Sequence, residues 1–244
     1  MSSNQQFMNN SYSVQFLKRE IDGYLYFVPI YAQHRPAAQA VLSGRYWEPE
    51  THNLVELIFR MASGGSIIHA GAFFGDMLPA FSQFATNVYA FEPVLENYVL
   101  ARLCVEANSL SNVILMNSAL SDVLTNLRIN TSDNDKKHLG GASHIHEKGF
   151  ICSSLKIDNL MIKDLFAIHL DVEGHELSAL RGADQTIQEH HPFLLLEDNM
   201  NQAAKYLHNM DYEQFLTLPH LKVWAHKSRS KFTSDILKHY PQIK

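Results

Sequence analysis

Ile67-Ile68-His69-Ala70-Gly71-Ala72-Phe73-Phe74-Gly75 reads as a strand that runs into a small-residue turn and then a helix. Glycine at such a turn lets the backbone approach a neighbour or a ligand closely, and the helix start offers free N–H groups. The glycines are spaced GxxxG, not GxGxxG, and a tight strand-to-helix turn needs glycine on steric grounds alone, so both readings stand at this point. Downstream, short apolar runs alternate with helical stretches. Strands are predicted over Ser66 to Ala70, Asn87 to Phe91, Val113 to Asn117, Phe166 to Leu170 and Phe193 to Leu196, and helices over Asp76 to Ala85, Leu95 to Asn108 and Glu176 to Glu189. Strands without polar alternation, separated by helices, predict a buried and mostly parallel sheet covered on both faces: a Rossmann-like α/β fold. Asp211 to Thr217 and Leu221 to Ala225, joined through Pro219-His220, add a C-terminal antiparallel hairpin.

Upstream of this unit, Asp22-Gly23 is a hairpin turn dipeptide, with Val14 and Phe16 before it and Tyr24, Tyr26 and Val28 after it at period two. Ala37, Ala38, Ala40 and Val41 suit a short helix. Trp47-Glu48-Pro49 is a break, and Thr51 to Met61 is an amphipathic helix ended by Gly64-Gly65. The expected organisation is an appendage over residues 1–50, serving as acceptor lid or dimer contact, a main domain over 51–226 and a basic tail over 227–244. Ser121 to Phe150 breaks the alternation: it is long, polar and glycine-containing, and is expected to be a functional lid or a disordered loop at the sheet edge where ligands bind.

The chain has 244 residues, enough for one sizeable α/β domain with an appendage. Its formal charge of -5 does not suit a general nucleic-acid binder. No apolar run approaches the ~18 residues needed to span a bilayer, and no secretory signal is visible at the start. Two cysteines, Cys104 and Cys152, without a CxxC pair, fit a reducing, cytoplasmic setting.

Four features carry chemistry. The Gly71 turn is the first. Glu92 ends the second strand of the alternation, 21 residues beyond Gly71, where a doubly wound fold places the acceptor for ribose hydroxyls. Asn117 to Asp122 follows the third strand, where a nucleoside base would rest on small residues. His169-Leu170-Asp171-Val172-Glu173-Gly174-His175-Glu176 closes the fourth strand with carboxylates at its end, suited to orienting a substrate, accepting a proton or capping the next helix. Asp198 and Asn199, with Asp171, are hard oxygen donors that would suit Mg²⁺, and His144-Ile145-His146 is a second low-ranking metal candidate.

The set resembles the FkbM family of S-adenosylmethionine-dependent methyltransferases. The resemblance rests on Gly71-Ala72 with Gly75, Ala90-Phe91-Glu92-Pro93, Ala119-Leu120-Ser121-Asp122, Asp171-Val172-Glu173-Gly174 with Glu176, and Leu180-Arg181-Gly182-Ala183, and runs from about Tyr46 to Glu197. It implies a class I methyltransferase with a seven-stranded sheet ending in an antiparallel pair. It implies S-adenosylmethionine as cofactor, with Gly71, Ala72 and Gly75 along its methionine part, Glu92 and Pro93 at the ribose, Ser118, Ala119 and Leu120 at the adenine, and Asp171 near the methionine end or the methyl acceptor. Glu48, His69 and Phe73 join the expected cofactor set. His69 and Phe73 depart from the family pattern, which has an acidic residue and an asparagine there. Magnesium is not called for.

The expected activity is O-methylation of a small molecule, a saccharide or natural product, with Glu173 and His175 as candidate bases and Asp171 as orienter. Tyr24, Tyr26, Phe27 and Tyr31, with the Asn130 to Phe150 segment, would build the acceptor pocket or a homodimer contact. Two rivals remain open on the sequence: a dinucleotide-dependent oxidoreductase, and a non-catalytic binding or assembly module on the same fold.

Overall fold

The computed structural model describes residues 13–198 and 201–240. The N-terminal part is the hairpin β1 (Phe16–Ile21) and β2 (Tyr24–Pro29), followed by α1 (Pro36–Leu42) and α2 (Pro49–Ala62). The alternating unit is β3 (Ser66–Ala70), α3 (Leu78–Phe84), β4 (Val88–Phe91), α4 (Leu95–Ala107) and β5 (Val113–Met116). An excursion follows through β6 (Ala119–Leu120), β7 (Asn126–Asn130), β8 (His144–Ile145) and β9 (Phe150–Leu155). The chain returns with β10 (Leu165–Leu170), α5 (Glu176–Arg181), α6 (Asp184–His190), β11 (Phe193–Leu196), α7 (Ala204–Asn209), β12 (Tyr212–Thr217), β13 (Lys222–His226) and α8 (Ser230–His239).

The seven-stranded sheet has the order β12-β13-β11-β10-β3-β4-β5. Strands β5, β4, β3, β10 and β11 are parallel, and β13 runs antiparallel between β11 and β12. This is the mostly parallel sheet with a terminal antiparallel pair expected from the sequence. All five residues of β3 are buried. Ile67 packs with Leu54, Ile58 and Phe81 on one face, and Ile68 with Leu180 and Ile187 on the other. Each such fully buried aliphatic side chain contributes about 1.5–3 kcal/mol. Phe232, Ile236 and Tyr240 of the C-terminal segment join the first of these two clusters.

The hairpin turns at Asp22 and Gly23, both in the left-handed region (φ 49° and 83°), as a two-residue primed turn requires. It docks on the end of α4, where the Asn108 side chain accepts from the Leu25 N–H and donates to the Leu25 carbonyl, both at 2.8 Å. Among the described residues no helix is long and apolar enough to cross a membrane.

Two expectations need correction. The single helix over Glu176 to Glu189 is two, α5 and α6, broken at Gly182-Ala183. Gly182 lies so close to the Ser121 carbonyl that a Cβ would sit 2.1 Å from it, and Asp158 starts the new helix by accepting from the Thr186 N–H at 2.9 Å. Ser121 to Phe150 is not one loop either. Strands β6, β9, β7 and β8 form a separate four-stranded sheet, with Ile129 and Cys152 buried beneath it.

Strands β3 and β10 run side by side until Gly71, where φ is +89° and a Cβ would lie 1.9 Å from the Asp171 carbonyl oxygen. Gly23 has a similar φ of +83° with open space around it. Gly23→Ala is therefore expected to cost only the left-handed penalty, about 1–2 kcal/mol. Gly71→Ala adds the displacement of a packed backbone, roughly 1–3 kcal/mol more. Thermal unfolding of the two variants checks this, and equal melting temperatures would contradict it.

Candidate active site

Two cavities meet over the carboxyl ends of β3, β4 and β10. The strand order reverses between β3 and β10, which is where open α/β sheets bind ligands. Gly71, Gly141 and Asp171 line both cavities.

Glu92, at the end of β4, lines the first cavity and is 4% exposed. Its Oε2 accepts from the Phe73 N–H and its Oε1 from the Val94 N–H, each at 2.8 Å. Burial pushes its pKa up to about 8, against the lowering effect of those backbone donors. Oε2 retains a lone pair for a further donor, whereas Oε1 also accepts from the Asn97 side chain at 3.4 Å. Pro93, Ser118, Ala119 and Leu120 line the same cavity. Its roof comes from the small sheet: Ile129 of β7, Ile145 of β8 and the Gly140-Gly141 turn. A Cβ on Gly140 would sit 2.7 Å from the Ala32 Cβ and 3.1 Å from the Phe73 ring, and one on Gly141 would sit 3.2 Å from that ring. Asn97 joins floor to roof: its side chain donates towards Glu92 and the Gly140 carbonyl, both at 3.4 Å, and accepts from the Tyr31 hydroxyl at 2.8 Å.

The second cavity is acidic. Glu48, Asp76, Asp171, Glu173 and Glu197 line it, with Arg35 as the one guanidinium. The Asp171 carboxyl is held well above its ordinary range, first by burial and then by Glu197, which is also its hydrogen-bond partner across adjacent strand ends. Two carboxyl groups in such contact share one proton. Burial raises Asp76 to about 7, and it raises Glu48 and Glu173 as well. Glu48, Phe73 and Glu173 all hold left-handed backbone (φ 48°, 45° and 53°), a conformation that costs non-glycine residues energy and that concentrates at functional sites. The turn carrying Glu173 is fixed by Glu176, whose Oε1 accepts from the Val172 and Gly174 N–H groups at 3.3 and 3.1 Å.

The structure thus brings Gly71, Glu92, Pro93, Ser118, Ala119, Leu120 and Asp171 together around the first cavity, and Glu48, His69, Phe73 and Glu173 around the second. Ala72 and Gly75 line neither. Ala72 is fully buried in the core, and Gly75 faces α4, where a Cβ would be 3.2 Å from the Ala101 Cα. The two candidate bases are separated: His175 lines the first cavity, drawn to it by a 3.1 Å contact between its Nε2 and the Ser121 hydroxyl, whereas Glu173 lines the second. Asp198 does not face Asp171 as a metal ligand would; its two oxygens accept from the Gln202 and Ala203 N–H groups at 3.0 and 2.9 Å. Asn199 lies outside the described residues. His144 and His146 have their rings perpendicular, 5.9 Å apart. Among the described residues no group of three His, Cys, Asp or Glu side chains is arranged to hold a metal ion. Sequence reasoning missed Asn97, Asp76, Arg35 and Glu197. Only Glu197 carried a signal, as the first carboxylate after the apolar strand Phe193–Leu196.

An open sheet of this order, with a buried carboxylate ending the strand after the glycine turn, defines a Rossmann-like methyltransferase fold. The family model described as the methyltransferase FkbM domain matches residues 69–218, and the chain belongs to that family. Similar solved structures include a methyltransferase FkbM from Methylobacillus flagellatus KT (19% identity, 73% of this chain and 50% of that one, TM-score 0.48). A methyltransferase from Geobacter sulfurreducens is another (13% identity, 76% and 83%, TM-score 0.46). A third is TrmK of M. capricolum in complex with S-adenosylhomocysteine (10% identity, 74% and 68%, TM-score 0.42). This chain thus spans half the length of the Methylobacillus protein. No curated protein matches it.

His69, where the family pattern has a carboxylate, pairs with His169 on the neighbouring strand, Nδ1 to Nδ1 at 2.9 Å. Such a contact needs one ring to donate and the other to accept, so the acceptor is neutral, and burial keeps the donor neutral as well. Burial holds His69 well below its ordinary pKa and His169 at about 3. The unfolded chain takes up protons near the ordinary 6.5. Each ring therefore contributes stability above about pH 6.5 that is lost as pH falls towards 3, approaching about 1.4 kcal/mol per pH unit. His169→Leu should flatten the slope of unfolding free energy between about pH 6 and 4.5 by up to that amount. Glu92 and Asp76 act in the opposite sense in both proteins and cancel in the difference. Equal slopes for variant and parent would show that the pair is protonated in the folded state.

Proposed function

We propose that this protein is an S-adenosylmethionine-dependent methyltransferase acting on a hydroxyl group of a small molecule, a saccharide or natural product. One observation carries the reading: Glu92 faces the same cavity as Ser118, Ala119 and Leu120, and that cavity continues past Gly71 and Asp171 into a second, acidic one. The residues present fit the cofactor. The first cavity offers a carboxylate for a ribose hydroxyl and a surface of small and apolar side chains for a flat base. Gly71, Gly141 and Asp171 line both cavities, so the methionine part can run past them from the first into the second. The acidic second cavity suits an ammonium and a sulfonium.

Held by Glu92 and the residues lining the first cavity, the cofactor would supply an electrophilic methyl group for transfer to the acceptor oxygen. The protein's part is to hold the acceptor in line and to take its proton. Glu173, on its strained turn in the second cavity, is the proposed base, and Asp171 the proposed orienting group. Glu48 lies on the acceptor side. His175, on the base side of the site, takes no part in proton transfer.

Calorimetric titration with S-adenosylhomocysteine is the direct test. Binding is expected with a micromolar Kd, with no binding of NADH, and Glu92→Ala should weaken it at least about tenfold, the loss of a charged hydrogen-bond partner. Since Glu92 titrates at about 8 and accepts from ribose only as a carboxylate, binding expels its proton below that pH. Affinity should therefore rise with pH up to about 8 and level off above, and Glu92→Gln should abolish the trend. A folded protein that ignores the ligand would end the proposal. Glu173→Gln should lower kcat by about 10²–10⁴ with little effect on that Kd, and unchanged turnover would remove Glu173 from the base role.

A further inference from the structure

We infer that the acceptor carries a protonated amine beside the hydroxyl that is methylated, as an amino sugar or amino alcohol does; this rests on the methyltransferase reading above. The second cavity is lined by five carboxylates against one guanidinium, Arg35. The proton shared by Asp171 and Glu197 removes one negative charge. The cofactor, with a sulfonium, an ammonium and a carboxylate, removes one more. Negative charge is still left over in a partly desolvated chamber, where unpaired charge is costly. A neutral sugar would leave that cost in place, whereas an ammonium group offsets it.

Independent features of the wall point to a ligand there. His69 forms part of the wall and is 2% exposed, and its Nε2 has no hydrogen-bond partner in the structure. As a neutral ring paired through Nδ1, it can present Nε2 as a donor or an acceptor to a polar group of the ligand. Trp47 stacks on His220 with ring centroids 5.7 Å apart and an interplanar angle of 26°, and both line the chamber. An indole suits both the apolar face of a sugar ring and a cation. Pro36, Trp47, Glu48 and His220 also line an adjoining open groove, which gives an acceptor its way in beside Glu48. A wall of this sign favours entry of cations over anions.

The test uses full-length protein in two stages. Titration with S-adenosylhomocysteine comes first, and its failure would count against the methyltransferase reading itself. The saturated protein is then titrated with glucosamine and galactosamine, each beside its N-acetyl derivative and its parent neutral sugar. The amines should bind at least about tenfold more tightly than the N-acetylated forms, and added salt should weaken them. Glu48→Gln should weaken the amines at least about fivefold, and Glu48→Lys should abolish their binding, with the parent circular-dichroism spectrum of both variants as proof of fold. Neutral or N-acetylated sugars binding as well as the amines would overturn the inference. So would amine binding indifferent to Glu48, or no amine binding by a protein that holds S-adenosylhomocysteine.

Discussion

The contact on which the site depends is the approach of Gly71 to the Asp171 carbonyl. Strands β3 and β10 are hydrogen-bonded neighbours up to Ala70 and Leu170, and the Asp171 N–H still donates to the Ala70 carbonyl at 3.1 Å. Beyond that bond the chains part, Gly71 turning to the Phe91 carbonyl and Asp171 staying at the sheet end. A side chain at Gly71 would collide with the Asp171 carbonyl and force the two strand ends apart where the cavities meet. Both the carboxylate that ends β4 and the carboxyl pair that ends β10 and β11 are placed relative to this parting.

The second constraint is the treatment of buried charge. In the first cavity, Glu92 is desolvated but receives two short backbone donors, and Asn117 fixes the local chain by donating to the Glu92 carbonyl at 2.8 Å. In the second, Asp171 and Glu197 meet each other, and the surrounding acids are held in strained turns at Glu48 and Glu173. One carboxylate is thus locked in place by the backbone, while the others sit where a cation would stabilise them. The histidine pair beneath is the opposite device, two buried rings kept uncharged by desolvation and joined by one hydrogen bond.

What the sequence made legible follows from how local each signal is. Asp22-Gly23 specifies a primed turn within two residues. The Gly71 turn and the distance to Glu92 fix the first βαβ unit, and fully apolar strands such as Phe193–Leu196 announce a sheet covered on both faces. The accessory sheet was hidden because β6 and β8 are two residues long and β7 and β9 are half exposed, so no period-two pattern emerges from a polar stretch. The break between α5 and α6 was hidden because its cause, the Ser121 carbonyl, lies far off in the chain. The acidic cavity draws Arg35, Glu48, Asp76, Asp171, Glu173 and Glu197 from separate elements, which only the folded topology assembles. His175 shows the converse: two residues from Glu173 in sequence, it lines the other cavity, across the left-handed pair Glu173-Gly174.

The roof and floor of the first cavity are distant in the chain, and this has a kinetic consequence. Ser118 bonds to the Ser153 carbonyl 35 residues away, and Asn97 to the Gly140 carbonyl 43 residues away. The entropy of closing such loops is spent before their contacts return anything, so the cavity is assembled late on the way to the native state. A molecule held there stabilises an arrangement that the folding transition state lacks. It slows the departure from the native state and leaves the rate of arrival unchanged. A ligand held there would lengthen the life of the folded chain and leave unchanged the speed at which a new chain folds.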